Sequence, residues 1–358
     1  MPNTRSDHRE PTGRARGAVL ALTALLFVAL APGTQAATRD AGLFGSSDPT
    51  YDGAFRQSVA LLGLAAVGVP APAPAVTWLA GQQCLDGSFE AYRMSIRTAC
   101  RQPDVANYAG PDSNSTALAA MALQANRRFS QAQRAIDALI AAQNPDGGWG
   151  YILTSPSDAN STGLVMSALY GTNESKVVQA RRKARAYIAT QQVACKAPGD
   201  FGLTFPPSPV ANPLASGQAL IGIAGTDLPF DPPSRYGSLV GTSCASSMKN
   251  KVAAYLDDLL VRTSGRIPSA MDPADIDWNA TASAVIGLGA ASLGRDGVKA
   301  GLGALEASVT DYGFADGAGS PAALGALLLV ADVTGRDARA FGSPRTNLVA
   351  ALLGTMRR

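Results

Sequence analysis

Histidine is nearly absent from this sequence: among its 358 residues the single example is His8. That residue lies within residues 1–36, which have the features of a cleaved export signal, so we expect the mature chain to contain none. Without imidazole, a Ser-His-Asp or Cys-His catalytic group is excluded, and so is a metal site built on histidine. We therefore expect neither a metal nor another cofactor.

The sequence also lacks an apolar run long enough to span a membrane. Residues 18–31 form its most apolar stretch, and 14 residues are fewer than the roughly 20 that a spanning helix needs. Arginines precede this stretch, and Thr34-Gln35-Ala36 follows it with small residues where a signal peptidase cleaves. The pattern predicts a signal peptide over residues 1–36, cleaved near Ala36, and a single secreted, extracellular domain over 37–358. A membrane anchor is the alternative interpretation; after cleavage we expect no stable membrane insertion.

Charge is scarce as well, at 16% of residues against 46% hydrophobic residues. The first 36 residues carry four arginines and two acidic residues, so their removal lowers the net charge from +3 to +1. No basic stripe remains that would bind nucleic acid. The apolar content is sufficient for a sizeable core.

What the sequence does have is an internal repeat. Residues 112–123, 158–169 and 277–288 each begin with Asp-x-Asn-x-Thr and continue as an Ala- and Gly-rich run that is apolar on nearly every face. Capping residues followed by such a run predict a buried helix. With weaker copies, the pattern predicts six inner helices that start near residues 57, 116, 162, 216, 281 and 320.

An amphipathic helix precedes most of these inner helices, for example at residues 131–143, 183–192 and 250–261. The first inner helix lacks such a partner, and residues 345–356 predict a last helix with no inner helix after it. An open solenoid would leave both ends as apolar edges. The sequence therefore favours an all-α fold, an α6/α6 toroid, in which a closed ring of six helix pairs has one pair completed by the N- and C-terminal segments.

The four cysteines fit this repeat. Cys84 and Cys195 each follow a Gln-Gln pair in the turn after an outer helix, and each turn is followed by a long loop that contains a second cysteine. An even number of cysteines outside the cytoplasm indicates disulfides, so we predict the pairs Cys84–Cys100 and Cys195–Cys244. A four-thiolate zinc site is the alternative, but Cys-x-x-Cys spacing is missing.

The turns themselves resemble a known family. Gln143…Gly147-Gly148-Trp149 and Gln83…Gly87-Ser88-Phe89 are similar to the QW motif of squalene–hopene cyclases. The resemblance extends, as a prenyltransferase and squalene oxidase repeat, over most of the mature chain. It implies the α6/α6 toroid of the terpenoid cyclase and protein prenyltransferase superfamily.

The catalytic residues of these relatives are not matched. Class II cyclases carry Asp-x-Asp-Asp-Thr, whose middle acid protonates the substrate, and the equivalent positions here are Asn114, Asn160 and Asn279. A carboxamide has no acidic proton to donate. Protein prenyltransferases hold zinc partly through histidine, and thioester domains need Gly-Cys-Gly-Glu-Gln; both are missing from the mature chain.

The catalytic candidates are an acidic cluster ahead of an inner helix, Asp272, Asp275 and Asp277. If two of these carboxylates shared a dry cavity, the pKa of one would rise and it could act as an acid. The alternative is a capping loop at a helix N-terminus, where carboxylates are favoured.

These observations support a non-catalytic binding protein whose central cavity takes an apolar ligand, isoprenoid-like or another lipid, or a flat cofactor. Two alternatives stay open: a divergent terpenoid-cyclase-like enzyme, and a protein-interaction scaffold without a small ligand. In the binding hypothesis, cap residues and loop aromatics frame the mouth of the cavity. The predicted ligand-binding residues are Asp112, Asn114, Asp158, Asn160, Asn279, Trp278, Tyr92, Tyr108, Tyr151 and Phe205.

Overall fold

The computed structural model describes residues 40–195, 201–315 and 317–358; the predicted signal peptide lies outside them. The described chain is mostly α-helical, with two small antiparallel strand pairs, β1 (Thr204–Phe205) with β2 (Ser208–Ala211) and β3 (Phe314–Ala315) with β4 (Ala318–Gly319). The helices are α1 (Gly53–Ala66), α2 (Ala73–Gly81), α3 (Ser113–Ala125), α4 (Phe129–Ala141), α5 (Ala159–Ala168), α6 (Ser175–Thr190), α7 (Pro213–Ala224), α8 (Met248–Arg262), α9 (Trp278–Ala291), α10 (Arg295–Ala307), α11 (Val309–Gly313), α12 (Pro321–Val333) and α13 (Leu348–Gly354).

The six predicted inner helices correspond to α1, α3, α5, α7, α9 and α12, which are buried along most of their length. The first five begin three to four residues before the predicted starts. In α3, α5 and α9 the reason is that the Asp-x-Asn residues form the cap and first turn. Asp112 and Asp158 each accept the backbone N–H three residues on, both at 2.6 Å. These bonds satisfy donors that would otherwise lack a partner at a helix start.

The threonine of each repeat attaches the helix to the preceding turn. Thr116 Oγ1 accepts the backbone N–H of Phe89 at 3.0 Å, and Thr162 Oγ1 accepts that of Trp149 at 2.9 Å. The glutamine of the turn has a matching role: Gln143 Nε2 donates to the Gly147 carbonyl within the turn and to the Ala180 carbonyl of α6. The repeated threonine and glutamine residues are therefore explained by the hydrogen bonds that they form with the neighbouring turn and helix.

Each inner helix packs against two others, and the order of contacts is α1, α3, α5, α7, α9, α12 and back to α1. The outer helices α2, α4, α6, α8, α10 and α13 pack on these. Close approach depends on glycine, since a Cβ at Gly63 would lie 2.5 Å from the Gly325 carbonyl oxygen across the α1–α12 contact.

The chain ends differ in detail from the prediction. The pattern favoured a last helix that would partner the first inner helix, whereas the seven-residue α13 packs on α12. The contact with the N-terminal segment is made instead by extended backbone: Gly42 donates to the Arg357 carbonyl at 2.9 Å, and Arg357 donates to the Leu43 carbonyl at 2.8 Å. The Arg357 side chain adds an ion pair of 2.9 Å with Asp40.

Both predicted disulfides, Cys84–Cys100 and Cys195–Cys244, are present. They tie down the loops that precede α3 and α8. Since all four sulfur atoms are consumed, the alternative of a four-thiolate zinc site is excluded. Within residues 40–195, 201–315 and 317–358, every helix is too short or too polar to cross a lipid bilayer.

Candidate ligand-binding cavity

A cavity of about 290 Å³ lies among the inner helices, and all six contribute to its wall. Its lining is predominantly apolar. The apolar lining residues are Phe55, Val59, Leu62, Leu118, Leu164, Leu214, Ile221, Leu228, Ala282, Ile286, Ala322, Ala326 and Leu329. The sequence could not show whether side chains fill the centre of the helices; in the structure they leave this space open.

The polar lining groups lie mostly at or near the N-terminal ends of the inner helices. They are Asp52, Gln218, Asn279, Ser283 and Tyr312. The Tyr312 hydroxyl donates to Asn279 Oδ1 at 2.9 Å. Of these five side chains only Asp52 carries a charge, and its carboxylate pairs with the Arg56 guanidinium at 3.1 Å.

Two further carboxamides belong to this polar end. Asn160 is hydrogen-bonded to the lining residue Gln218, and it lies four residues before the lining residue Leu164. Asn114 likewise lies four residues before the lining residue Leu118. Residues four apart share a helix face. The asparagines of the three Asp-x-Asn-x-Thr segments therefore face the same side as the cavity, while their aspartates cap the helices. We call Asn114, Asn160, Gln218 and Asn279 the amide rim.

The opposite end of the cavity is covered by residues 225–237, which we call the floor strap. Leu228 of this strap lines the cavity. Ser167 of α5 donates to the Thr226 carbonyl at 2.9 Å, and the Tyr236 hydroxyl donates to the Val333 carbonyl of α12 at 2.8 Å. The strap thus crosses the C-terminal ends of the inner helices, and the amide rim marks the open end.

Burial changes the acidity of several groups near the rim. It raises the pKa of Asp52 despite the neighbouring Arg56, and it raises the pKa of Tyr312, to which the nearby Asp277 adds. The most perturbed of these carboxyl groups is Asp112, whose pKa burial raises to about 7 against the hydrogen bonds from Ser115. Asp112 caps α3 and is only 1% exposed.

This buried carboxyl group leads to a prediction about pH. As the pH rises from about 4 to 7, Asp112 ionises in the unfolded chain while it stays protonated in the folded protein, so the free energy of unfolding falls. The slope from one group is at most about 1.4 kcal/mol per pH unit. Asp112→Asn keeps the cap oxygen and removes the titration. Urea unfolding between pH 4 and 8 should therefore show a smaller loss of stability for Asp112→Asn than for the wild type.

Asp104→Asn is the control for this measurement. Asp104 accepts hydrogen bonds from the Asn107 side chain and backbone, which lower its pKa. Asp104→Asn should therefore leave the decrease in the free energy of unfolding between pH 4 and 7 at least as large as in the wild type. Parallel pH profiles for the wild type and Asp112→Asn would show that Asp112 does not titrate in this range.

The predicted site residues divide into two groups. Asn279 lines the cavity, with Asn114 and Asn160 on the same faces, whereas Asp112 and Asp158 are buried helix caps. Trp278, the first residue of α9, is half-buried. Four aromatic predictions, taken as loop residues near the mouth, lie outside the cavity wall of the described chain: Tyr92 stacks on Trp78, and Tyr108, Tyr151 and Phe205 are 76%, 37% and 40% exposed.

The acidic cluster likewise lies off the cavity wall in the described part of the chain. Asp272 and Asp275 are exposed, and Asp272 accepts the backbone N–H of Ala274 at 3.0 Å. Asp277 caps α9 through the backbone N–H of Ala280 at 2.8 Å. These hydrogen bonds are those expected of a capping loop.

Sequence reasoning missed four of the five polar lining residues, Asp52, Gln218, Ser283 and Tyr312, and it named none of the apolar ones as ligand-binding, Phe55 among them. The first inner helix lacks the Asp-x-Asn-x-Thr pattern, which hid Asp52 and Phe55. Gln218 could have been found, because it lies three residues before Ile221 of the same repeat and so shares the face of α7 that lines the cavity. Tyr312 belongs to the short helix α11, which is too short to be predicted from a periodic pattern of apolar residues.

Two other places have the shape or the side chains of a binding site. A cleft of about 670 Å³ lies between residues 236–242 and the outer helices α8 and α10, and none of the inner helices contributes to its described wall. Among the described residues, Cys84, Glu90 and Cys100 are close enough together to hold an ion, yet both sulfurs belong to the first disulfide. The central cavity is therefore the better candidate.

Comparison with known proteins gives the fold a context. No family model and no curated protein matches the chain. A sugar epimerase from a ruminal bacterium is similar in structure over 83% of this chain and 93% of its own, with 11% identity and a TM-score of 0.52. A variant of the type II terpene cyclase MstE from Scytonema, in complex with geranylgeranyl dihydroxybenzoate, covers 77% of this chain and 75% of its own, with 12% identity and a TM-score of 0.47. A protein from Actinoplanes covers 78% and 87%, with 15% identity and a TM-score of 0.46. At these identities, what this chain has in common with the epimerase is the fold.

Proposed function

We propose that this protein is a secreted, non-catalytic α6/α6 toroid that binds one small apolar molecule in its central cavity. In this proposal residues 1–36 are a cleaved signal peptide and residues 37–358 a single domain. The two disulfides are compatible with an extracellular location. Nucleic acid is not among the proposed partners.

The cyclic order of helix contacts supports the toroid. Each inner helix packs on the next, and α12 packs on α1, so the inner helices have no free edge that a further repeat would cover. The hydrogen bonds between residues 42–43 and Arg357 join the chain ends at the same place. A closed ring of six inner helices accounts for both observations.

The observation that carries the binding proposal is the open apolar cavity with one polar end. Small-molecule sites are typically concave and mostly apolar, with a few polar groups that orient the ligand. A volume of about 290 Å³ is roughly ten times the share of one water molecule in the liquid. That space suits an apolar molecule of about ten carbon atoms better than a large flat cofactor.

The polar residues at the cavity do not favour the cyclase-like alternative, which needs a carboxylic acid that can donate a proton. The three positions that resemble the cyclase acid motif are carboxamides, and Asp52 is already paired with Arg56. A scaffold without a ligand remains the third hypothesis, and a protein partner is compatible with all three.

Native mass spectrometry of the secreted full chain tests the proposal, first as purified and then with geraniol or n-decanol. We expect one bound molecule per chain. Ala326→Phe places a ring in the cavity, since Ala326 lines it, and should abolish the adduct. Ala141→Phe, at an exposed position of α4, is the matched control and should retain it.

If the mass spectra show no adduct under any condition, ligand binding is contradicted and the protein-interaction scaffold is favoured. An adduct that persists in Ala326→Phe would place the ligand elsewhere. A bound mass that changes with time would favour the enzyme, with Asp52 the first residue to replace.

A further inference from the structure

The charge of the cavity wall decides which head group a ligand can bring into it. Within the described chain, Asp52 is the one charged lining residue. The Arg56 guanidinium that neutralises it is 1% exposed and also donates to the Ser47 hydroxyl and carbonyl, at 2.6 and 2.8 Å. This cation is therefore held away from the cavity by its own partners.

An anionic head group finds little to bind at the rim. Helix N-termini attract anions, and six of them surround the open end. Four are already capped by side chains. Asp112, Asp158 and Asp277 accept backbone N–H groups of α3, α5 and α9, and Asn212 does the same for α7. A phosphate or carboxylate would meet this group of acidic caps and no cation on the wall.

A cationic head group is also poorly matched. Its one carboxylate partner on the described wall is Asp52, which is engaged with Arg56 at 3.1 Å. Recruiting Asp52 would leave a buried guanidinium without its ion-pair partner, and such uncompensated buried charges are strongly unfavourable.

An uncharged head group fits the groups that are present. The carboxamides of Asn279 and Gln218 both donate and accept hydrogen bonds, and the Tyr312 hydroxyl does the same. Each of these groups can form a hydrogen bond with a hydroxyl or carbonyl group of a ligand, and the ion pair between Asp52 and Arg56 stays intact. Resting on the binding function proposed above, we infer that the cavity selects uncharged apolar molecules of about ten carbon atoms with one hydroxyl or carbonyl group, held at the amide rim.

The effect of head-group charge can be measured with three ligands that share one hydrocarbon tail: geraniol, geranylamine and geranyl diphosphate. Isothermal titration of the full-length secreted chain at pH 7 should show geraniol binding at least about 30-fold more tightly than either charged molecule, a difference of about 2 kcal/mol. The hydrocarbon myrcene, which has the tail without a head, should bind more weakly than geraniol.

A rim variant adds an independent measurement. Asn279 is exposed in the mouth, so Asn279→Leu should fold normally. We expect it to weaken geraniol about tenfold, the loss of one hydrogen bond, while myrcene binding is unchanged or tighter. Asn107→Leu, in an exposed loop, is the matched control and should leave both affinities unchanged.

The outcomes separate the two proposals. Equal or tighter binding of geranyl diphosphate or geranylamine would overturn the selection of uncharged molecules and leave apolar ligand binding intact. An equal loss of geraniol and myrcene in Asn279→Leu would overturn the role of the rim. If none of the four molecules binds, the proposed function itself fails.

Discussion

Gly325→Ala is expected to destabilise the protein by about 3 kcal/mol, the upper part of the usual range for overpacking. A Cβ at Gly325 would lie 2.6 Å from the Val59 carbonyl oxygen of α1. Backbone atoms cannot turn aside as a flexible side chain can, so α12 and α1 would have to separate. Urea unfolding of the two proteins measures the effect.

Gly303→Ala is the matched control. Gly303 lies inside α10, and a Cβ there would meet nothing within 4 Å. Alanine has the higher helix propensity, so this variant should be more stable than the wild type by about 1 kcal/mol. If Gly325→Ala is as stable as Gly303→Ala, α1 and α12 do not approach closely, and the closed ring loses its main support.

A double variant sharpens the test. A Cβ at Gly63 would lie 2.5 Å from the Gly325 carbonyl oxygen, so Gly63→Ala pushes the same two helices apart. Once one substitution has separated them, the second has less to disturb. The two losses of stability should therefore add up to more than the double variant shows.

The second large effect is expected at the chain ends. Arg357 donates to the Gly45 carbonyl, the Ser47 carbonyl and the Asp40 carboxylate, at 2.7, 2.7 and 2.9 Å. Arg357→Met should lower the free energy of unfolding by about 3 kcal/mol, since it leaves the mostly buried Asp40 without its cation. Urea unfolding at pH 7 is again the measurement.

Arg358→Met is the control for position and charge, because Arg358 is the exposed neighbouring residue and should change stability little. Adding Asp40→Asn to Arg357→Met should recover part of the loss, since the unpaired charge is then removed. Equal stability of the Arg357→Met and Arg358→Met variants would mean that the ends of the chain do not hold each other.

Much of the fold could be read from the sequence where local chemistry decides it. The Asp-x-Asn-x-Thr segments specify their own caps, so α3, α5 and α9 were predicted within a few residues. The two disulfides were predicted from the places of the cysteines relative to the repeated turns, although α7 lies between Cys195 and Cys244. A central cavity was one hypothesis from the sequence, and Asn114, Asn160 and Asn279 were predicted as ligand-binding residues within it.

What the sequence could not provide depends on contacts between distant segments. The floor strap has no periodic pattern, and its position over the cavity results from contacts with α5 and α12. Asp52 and Tyr312 reach the cavity from elements outside the repeat pattern. The loop aromatics were predicted by residue type alone, which does not specify the direction of a side chain.

The contact between Asp40 and Arg357 also sets an order of events during synthesis. The two residues are 317 positions apart, so at the usual rate of translation about 15–60 s pass between them. For most of that time α12 has not yet been made, and the apolar face of α1 that α12 covers in the structure has no partner. The contact between α1 and α12 therefore forms only after the intervening inner helices have been made, and the ion pair between Asp40 and Arg357 forms later still.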